Sequence, residues 1–220
     1  MRHSSETRIG LFGGSFDPPH LGHEALVHAA IEMLGLDEVW VIPAGTPVHR
    51  SLSGHAGGDQ RLAWAVAMFA DDANVLIKDW EVSQSRPVAA IETLKYFSTV
   101  RPQCTPLWLC GADSFASMEG WIDYPQHQHY CNVAVFSRAG ESPVEVVEGW
   151  KPISVEQWRS SCARGERIEA GHLIRLDGSL PDVSATVIRD RAVHGESLSG
   201  LVNSRICKDV EALYGPKSGV

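Results

Sequence analysis

Short apolar runs alternate with helical patterns along most of the chain, an order typical of a parallel sheet covered by helices. Runs rich in β-branched and other apolar residues predict strands at residues 7–12, 38–43, 74–79, 107–111, 132–137 and 172–176. Stretches with apolar residues three or four positions apart predict helices at residues 21–34, 59–69, 88–100, 155–163, 184–194 and 204–214. We therefore predict an α/β fold with a Rossmann-like, open and mostly parallel sheet and helices on both faces.

The organisation of the chain follows from its length and composition. It has 220 residues, 44% of them hydrophobic and 21% charged, which predicts one globular domain over residues 1–220. We assign 7–200 to its motif-bearing core, 201–214 to a C-terminal helix, 215–220 to a disordered tail and 44–58 to a mobile loop. The C-terminal helix is predicted to pack on the core through apolar residues at helical spacing, namely Ile206, Val210, Leu213 and Tyr214.

Charge and cysteine content favour a cytoplasmic protein. The formal net charge of -8 argues against a broad surface for nucleic acid or an anionic membrane, so any phosphate site must be a local positive pocket. No apolar run approaches the roughly 20 residues that span a bilayer, and the first residues lack the apolar segment of a signal peptide. The five cysteines are scattered, which favours free thiols in the cytosol. The oligomeric state stays open, a homo-oligomer included.

The most informative segment is GGSFDPPHLGH at residues 13–23. It joins the first predicted strand to the first predicted helix, where free N–H groups beside a glycine-rich turn form a site for phosphate. His20 and His23 are three residues apart, so both imidazoles lie on one helical face and can reach the same anion. Gly22 lacks a side chain where a ligand needs close approach. The alternative is a glycine turn with two incidental surface histidines.

A second segment, VSATVIR at residues 183–189, begins the helix predicted near the end of the chain. Ser184 suits its N-cap, because a serine hydroxyl there accepts a hydrogen bond from a backbone N–H. Thr186 adds a hydroxyl in the first turn, and the long side chain of Arg189 can turn back toward the N-terminus. Together these groups offer binding partners to one polyphosphate. An ordinary capped helix with a surface arginine is the alternative.

The first segment matches the G-[ST]-F-D-P-x-H-x-G-H signature of the HIGH nucleotidyltransferases at eight fixed positions. With the second segment, the chain resembles the bacterial nicotinate-mononucleotide adenylyltransferases. The resemblance implies transfer of AMP from ATP, accompanied by Mg²⁺, to nicotinic acid mononucleotide, giving deamido-NAD and pyrophosphate. It implies that His20 and His23 are catalytic as contacts to the ATP phosphates. It implies further contacts to ATP from Gly14, Ser15, Phe16, Gly22, Ser184, Thr186 and Arg189.

Other parts of the chain extend the resemblance. The family's G-x-D-S motif recurs as GADS, which implies that Gly111 and Asp113 contact ATP, the aspartate at the ribose. Trp121 matches the tryptophan that the family places against the pyridine ring. The family's P-P-H-[KR] loop is PVHR in this chain, which implies that His49 and Arg50 bind the acceptor. Closure of this loop over the acceptor phosphate and a disordered basic stretch are the two alternatives for it.

The chain departs from the family at several positions. PVHR has lost one proline, and Ala139 replaces the proline of an R-P-G motif that begins at Arg138. Val183 replaces the usual isoleucine of the second segment. The run RPVA at 86–89 stands where the family has an S/T-Y-T run that lines the pyridine pocket. Val88 is therefore the implied pocket residue, and the choice between nicotinate and nicotinamide stays open.

Competing chemistries receive less support from the sequence. His127, His129 and Cys131 suggest a zinc site, but no second ligand pair occurs at a suitable spacing, so a polar loop is predicted there. Neither a G-x-x-x-x-G-K-[ST] P-loop nor a G-x-G-x-x-G motif occurs. Asp17 is predicted to form a turn rather than to bind Mg²⁺, and no protein metal ligand is assigned. Two alternatives are an enzyme of this fold that uses nicotinamide mononucleotide or another phosphorylated acceptor, and a non-catalytic nucleotide-binding module.

Overall fold

A computed structural model of the chain describes residues 7–45, 55–137, 147–178 and 180–216. The strands within these ranges are β1 (Ile9–Gly14), β2 (Glu38–Pro43), β3 (Val75–Ile77), β4 (Leu107–Gly111), β5 (Asn132–Ser137), β6 (Lys151–Ile153) and β7 (His172–Asp177). The helices are α1 (Leu21–Leu34), α2 (Gly58–Met68), α3 (Ala90–Val100), α4 (Ala112–Ala116), α5 (Val155–Ala163), α6 (Ala185–Val193) and α7 (Ser204–Tyr214). Two 3-10 helices, Met118–Gly120 and Gln126–His129, lie between α4 and β5.

The strands form one sheet in the order β3-β2-β1-β4-β5-β7-β6. The pairs β1 with β4, β4 with β5, β5 with β7 and β6 with β7 are all parallel. The predicted α/β fold with an open parallel sheet is therefore confirmed. Because paired parallel strands run in the same direction, the carboxyl ends of β1, β4, β5 and β7 lie along one edge, where sheets of this kind bind ligands.

Each predicted strand and helix is present, although the boundaries differ by up to two residues. The helix predicted from residue 88 begins instead at Ala90, because the carboxylate of Glu92 accepts the N–H of Ala89 over 3.1 Å and fixes the helix start. The short elements β6 and α4 were not predicted. β6 has three residues and α4 has five, which is too short for either periodicity to show in the sequence.

The chain divides into two compact units, each built from several segments. Unit 1 contains Met1–Gly13, Val27–Trp40 and Ala89–Ser179, and its buried centre includes β4, β5 and β7. Asn132 is a polar residue at a fully buried position of β5, and its side-chain oxygen accepts the backbone N–H of His172 over 2.9 Å. This bond explains why a polar residue is tolerated in the interior.

Unit 2 contains Gly14–Leu26, Val41–Val88 and Leu180–Val220. It includes the turn after β1 together with α2, α6 and α7. The C-terminal helix is buried along one face, as predicted, through Ile206, Val210 and Tyr214. The prediction for Leu213 is wrong, since this residue is 44% exposed. The buried stripe follows i, i+4, i+8 spacing and is centred on Val210, and Leu213 lies about 60° from that centre around the helix, beyond the Ile206 edge of the stripe. No helix in the described part of the chain is long and apolar enough to cross a membrane.

Candidate nucleotide-binding site

The glycine turn after β1 is shaped by Gly14 and Phe16. Phe16 has a left-handed backbone, with φ of 48°, which is uncommon for a residue other than glycine. Its ring is buried and packs edge-on against His23, with ring centroids 4.9 Å apart. A Cβ at Gly14 would lie 3.3 Å from the Phe16 ring. Phe16 therefore supports His23 with its side chain, so that the ATP contact predicted for Phe16 would come from its backbone.

His20 and His23 form a stacked pair at the start of α1. Their ring centroids are 3.6 Å apart and their planes are inclined by 23°. The backbone N–H of His20 donates to Nδ1 of His23 over 3.1 Å. Because Nδ1 of His23 accepts this bond, the neutral ring carries its proton on Nε2.

The electrostatics of the pair favour the binding of an anion. Burial, and then the neighbouring His20, lower the pKa of His23 well below its usual range. At neutral pH His23 is therefore uncharged in the free protein. A phosphate group against the two rings would stabilise the protonated form, because an adjacent opposite charge raises the pKa of a histidine. The pair is thus suited to a ligand that brings negative charge.

The start of α1 is already in contact with other parts of the protein. The N–H of Leu21 donates to the carbonyl of Leu201 over 2.9 Å, so one of the first helix amides is already bonded within the protein. A Cβ at Gly22 would lie 3.0 Å from Nδ1 of His20 and 3.4 Å from the carbonyl oxygen of Pro181. Gly22 therefore makes room for the His20 ring and the nearby backbone, and its predicted contact with ATP stays a prediction.

Helix α6 reaches the glycine turn through the side chain of Arg189. Ser184 is the N-cap, as predicted, and its hydroxyl accepts the N–H of Val187 over 3.3 Å. The guanidinium of Arg189 donates to the carbonyl of Asp17, 172 residues away in sequence, over 2.5 Å. It also donates to Oγ1 of Thr186 over 3.3 Å. The two motifs found in the sequence therefore meet within unit 2.

The carboxylate of Asp17 is committed to partners within the protein. Oδ1 accepts hydrogen bonds from the Tyr214 hydroxyl and from the N–H of Ala56, the latter over 3.0 Å, and Oδ2 pairs with Nδ1 of His55. Burial raises the pKa of Asp17, but these partners outweigh it and the pKa is lowered overall. Both oxygens are thus bonded to residues distant in sequence, so the carboxylate has a structural role through tertiary contacts, whereas the sequence predicted a local turn. Among the described residues, no group of three His, Cys, Asp or Glu could hold a metal.

Arg61 of α2, which no sequence motif indicated, also helps to position the glycine turn. It is 1% exposed, and its guanidinium donates to the carbonyls of Ser15, Ala56 and Gly45 over 2.6, 3.1 and 2.5 Å. Burial lowers the pKa of Arg61 from its usual value, but arginine stays charged at physiological pH. Arg61 therefore links Ser15 of the glycine turn by hydrogen bonds to Gly45 and Ala56, which lie on either side of residues 46–54. Its partners are backbone carbonyls, which leave no side-chain signature in a sequence.

In unit 1, the carboxyl ends of β1 and β4 lie side by side, with Leu11 opposite Trp108. A Cβ at Gly13 would lie 3.1 Å from the Trp108 ring, so a side chain there would displace the indole. Gly111 ends β4, where a Cβ would lie 2.8 Å from Oδ1 of Asp113. Asp113 itself is exposed in the first turn of α4. The residues of the GADS motif are thus at the predicted edge of the sheet, with the carboxylate open to solvent.

Trp121 is half-buried and stands between two other rings of unit 1. The Trp108 ring lies at 6.1 Å and the His127 ring at 5.8 Å, and both approach Trp121 edge-on. Edge-to-face contacts of this kind stabilise aromatic pairs by about 0.5–1.5 kcal/mol beyond their burial. The orientation of the Trp121 indole is therefore fixed from two sides, as a ring that stacks on a ligand requires.

The polar loop predicted around His127 is instead a 3-10 helix, Gln126–His129. His127 is 1% exposed, and within the described residues neither of its ring nitrogens has a hydrogen-bond partner. Burial lowers its pKa, while Asp123 opposes this shift. The sequence around His127 is polar, but the contacts with Trp121 and Tyr124 turn this imidazole inward.

The contacts with the acceptor that the sequence predicts for Val88, His49 and Arg50 are not tested by the structure. Val88 is buried at 8% exposure, so its predicted contact with the acceptor ring stays a prediction. His49 and Arg50 lie outside the described residues, as does Arg138, and their predicted roles stay predictions.

An open parallel sheet with a glycine turn between its first strand and first helix is the architecture of nucleotide-binding α/β proteins. The chain belongs to the cytidylyltransferase-like family, whose model matches residues 11–191, and within it to the nicotinate-nucleotide adenylyltransferases. A probable nicotinate-nucleotide adenylyltransferase from Chromobacterium violaceum is 34% identical over 205 residues, covering 90% of this chain and 93% of that protein. One from Pseudothermotoga lettingae is 30% identical over 211 residues, covering 96% and 98%.

Solved structures agree on the fold. Plasmodium falciparum nicotinic acid mononucleotide adenylyltransferase complexed with NaAD superimposes with a TM-score of 0.69, covering 92% of this chain and 96% of that one. The same enzyme complexed with APC gives a TM-score of 0.68. These chains are 15% and 14% identical to this one, so the likeness shows the fold alone.

Proposed function

We propose that the protein transfers AMP from ATP to nicotinic acid mononucleotide and releases pyrophosphate, forming deamido-NAD. The observation that carries this proposal is the convergence of the two sequence motifs in unit 2. There Arg189 donates to the carbonyl of Asp17, beside the stacked pair of His20 and His23. Imidazole and guanidinium groups gathered at a glycine turn are the chemistry that a triphosphate needs. The curated relatives that share most of the chain carry the matching name.

In the proposed reaction, an oxygen of the acceptor 5′-phosphate attacks the α-phosphorus of ATP. The bond from that phosphorus to the bridging oxygen breaks, and pyrophosphate leaves with the electron pair. Because the nucleophile is already an anion, no strong general base is required, and catalysis depends on positioning and charge stabilisation. His20 and His23 are assigned to neutralise the phosphates, and Thr186 and Arg189 to hold the β- and γ-phosphates.

The other assignments follow the family resemblance within unit 1. Asp113, whose carboxylate is exposed, is assigned to the ATP ribose. Trp121, fixed between two rings, is assigned to stack on the acceptor's pyridine. Mg²⁺ enters with ATP, and its charge would offset that of the triphosphate. It keeps most of its waters and needs few protein ligands, which is compatible with the committed carboxylate of Asp17.

We place the reaction in the cytosol, with small-molecule substrates and no nucleic-acid or membrane partner. Five free thiols and a formal net charge of -8 support this location and partner class.

The proposal is tested by a coupled pyrophosphate-release assay with ATP, Mg²⁺ and a panel of mononucleotides. We expect turnover with nicotinic acid mononucleotide, at a kcat/KM at least tenfold above that with nicotinamide mononucleotide. Preference for nicotinamide mononucleotide or another phosphorylated acceptor would identify a related adenylyltransferase. ATP binding with no pyrophosphate release for any acceptor would identify a non-catalytic nucleotide-binding module and overturn the proposal.

A further inference from the structure

The C-terminal segment, residues 201–214, is hydrogen-bonded at one end to the start of α1 and at the other end to Asp17 of the glycine turn. At its beginning, the carbonyl of Leu201 accepts the N–H of Leu21, the first residue of α1. Next to it, the side-chain amide of Asn203 donates to the carboxylate of Glu24 over 3.2 Å. These bonds hold the first turn of α1 from one side.

At the other end of the segment, the Tyr214 hydroxyl donates to Oδ1 of Asp17. The N–H of Ala56 donates to the Tyr214 oxygen over 3.2 Å and also to Oδ1 of Asp17 over 3.0 Å. Since the phenol oxygen accepts from this amide, its own proton is directed to the carboxylate. Burial and the adjacent Asp17 raise the pKa of Tyr214, so the hydroxyl remains a donor at physiological pH.

The hydrogen bond between Tyr214 and Asp17 affects the position of the Arg189 guanidinium. This guanidinium donates to the backbone carbonyl of Asp17, and Nη1 lies 3.9 Å from the carboxylate oxygen Oδ2. This is a long ion pair, and a carboxylate that lacked its other partners would draw the guanidinium closer, into a hydrogen-bonded, bidentate pair. Tyr214, His55 and Ala56 occupy the carboxylate instead. Arg189 thus keeps its contact with the turn and is free of a bidentate pair with Asp17.

We propose that Tyr214 is a positioning residue for phosphate binding: by occupying the carboxylate of Asp17, it keeps Arg189 directed at the phosphates. The inference rests on the proposed function for the identity of the ligand as ATP. Tyr214 acts through Asp17 and does not touch the substrate. Tyr214, which the sequence shows only as one position of an apolar stripe, thereby takes part in orienting the phosphate ligands.

The substitution Tyr214→Phe tests this role with little change in packing. The ring, which lies 6.1 Å from that of Trp64, is retained, and only the hydroxyl is lost. We expect the KM for ATP to rise at least fivefold, while the KM for nicotinic acid mononucleotide changes less than twofold. Val210→Ala is the matched control, because it removes buried contacts of α7 and leaves the Tyr214–Asp17 bond in place. It is expected to lower the Tm at least as much as Tyr214→Phe without changing the KM for ATP.

A second measurement asks whether Tyr214 acts through Asp17. After Asp17→Asn, the further change Tyr214→Phe should alter the KM for ATP by less than twofold, because the charged acceptor is already gone. Additive effects in the double variant would contradict the route through Asp17. An unchanged KM for ATP in Tyr214→Phe, or an equal rise in Val210→Ala, would overturn the proposal and leave Tyr214 a packing residue.

The test can be separated from the proposed reaction by measuring binding alone. Calorimetric titration with a non-hydrolysable ATP analogue needs no acceptor and no turnover. A wild-type protein that binds the analogue but releases no pyrophosphate would refute the proposed reaction. A weaker Kd for the analogue in Tyr214→Phe, but not in Val210→Ala, would still support the role of Tyr214. Equal Kd values in the wild type and Tyr214→Phe would refute that role even in an active enzyme.

Discussion

His20 and His23 stack with their ring centroids 3.6 Å apart, and the backbone N–H of one donates to the ring of the other. Two imidazoles at this distance disfavour double protonation unless an anion lies against them. The relationship therefore links the charge of the pair to the presence of ligand. His28, farther along the same helix, is exposed and is not part of this stacked pair.

We expect His23→Ala to lower kcat at least tenfold while the fold stays intact. A charge-assisted hydrogen bond contributes about 1.5–3 kcal/mol, and each 1.4 kcal/mol of lost transition-state stabilisation slows a reaction about tenfold. The check is steady-state kinetics with saturating substrates, with circular dichroism to confirm folding. His28→Ala is the matched control and should keep wild-type turnover. Near-wild-type kcat in His23→Ala would remove its catalytic assignment.

Binding of ATP should be accompanied by proton uptake at about pH 6. The pKa of His23 in the free protein is lowered by burial and by His20, and phosphate would raise it. Protons are taken up only at pH values between the free and the bound pKa, so the uptake should vanish well above this range. Calorimetry in buffers of different ionisation enthalpy measures it. Uptake that persists unchanged in His23→Ala would assign the proton to another group.

Trp121→Ala should raise the KM for nicotinic acid mononucleotide at least fivefold and leave the KM for ATP nearly unchanged. The indole is held between Trp108 and His127, and stacking of a ring on an aromatic side chain contributes about 1–3 kcal/mol. Ile122→Ala is a suitable control, because this neighbouring residue is 50% exposed. Equal effects of Trp121→Ala on both substrates would contradict a stacking role.

The sequence allowed the residues that gather at the glycine turn to be predicted because their patterns are local. A glycine turn, two histidines one helical turn apart and a capped helix with an arginine each leave a short, dense pattern. Arg61 and Tyr214 left no such pattern, since their partners are backbone carbonyls and a carboxylate distant in sequence. The spacing of Tyr214 indicated only a buried helical face, which is correct but incomplete.

His127 shows a second limit of local patterns. Its neighbours in sequence are polar, and a polar run favours an exposed loop. The structure buries its imidazole because Trp121 and Tyr124 pack around it. Burial of this kind is decided by tertiary contacts, which residue spacing does not encode.

We expect His127→Leu to raise the free energy of unfolding by about 1–2 kcal/mol at neutral pH, because a buried polar group without a partner is destabilising. The pKa of His127 is lowered by burial, so the unfolded chain binds a proton more readily than the folded one. Wild-type stability should therefore fall as the pH drops below about 6.5 toward the folded pKa. Urea unfolding at several pH values measures this, and the variant should lose less stability. A less stable His127→Leu would show that the imidazole has a partner.

Arg61→Met should lower the free energy of unfolding by about 3–5 kcal/mol, which for a chain of this length corresponds to a fall in Tm of roughly 8–15 °C. The substitution keeps an unbranched apolar stem but leaves the carbonyls of Ser15, Ala56 and Gly45 without their donor. Arg159→Met is the matched control, because this arginine is exposed, and its Tm should change by less than about 2 °C. A similar Tm for both variants would mean that the guanidinium of Arg61 does not fasten the glycine turn.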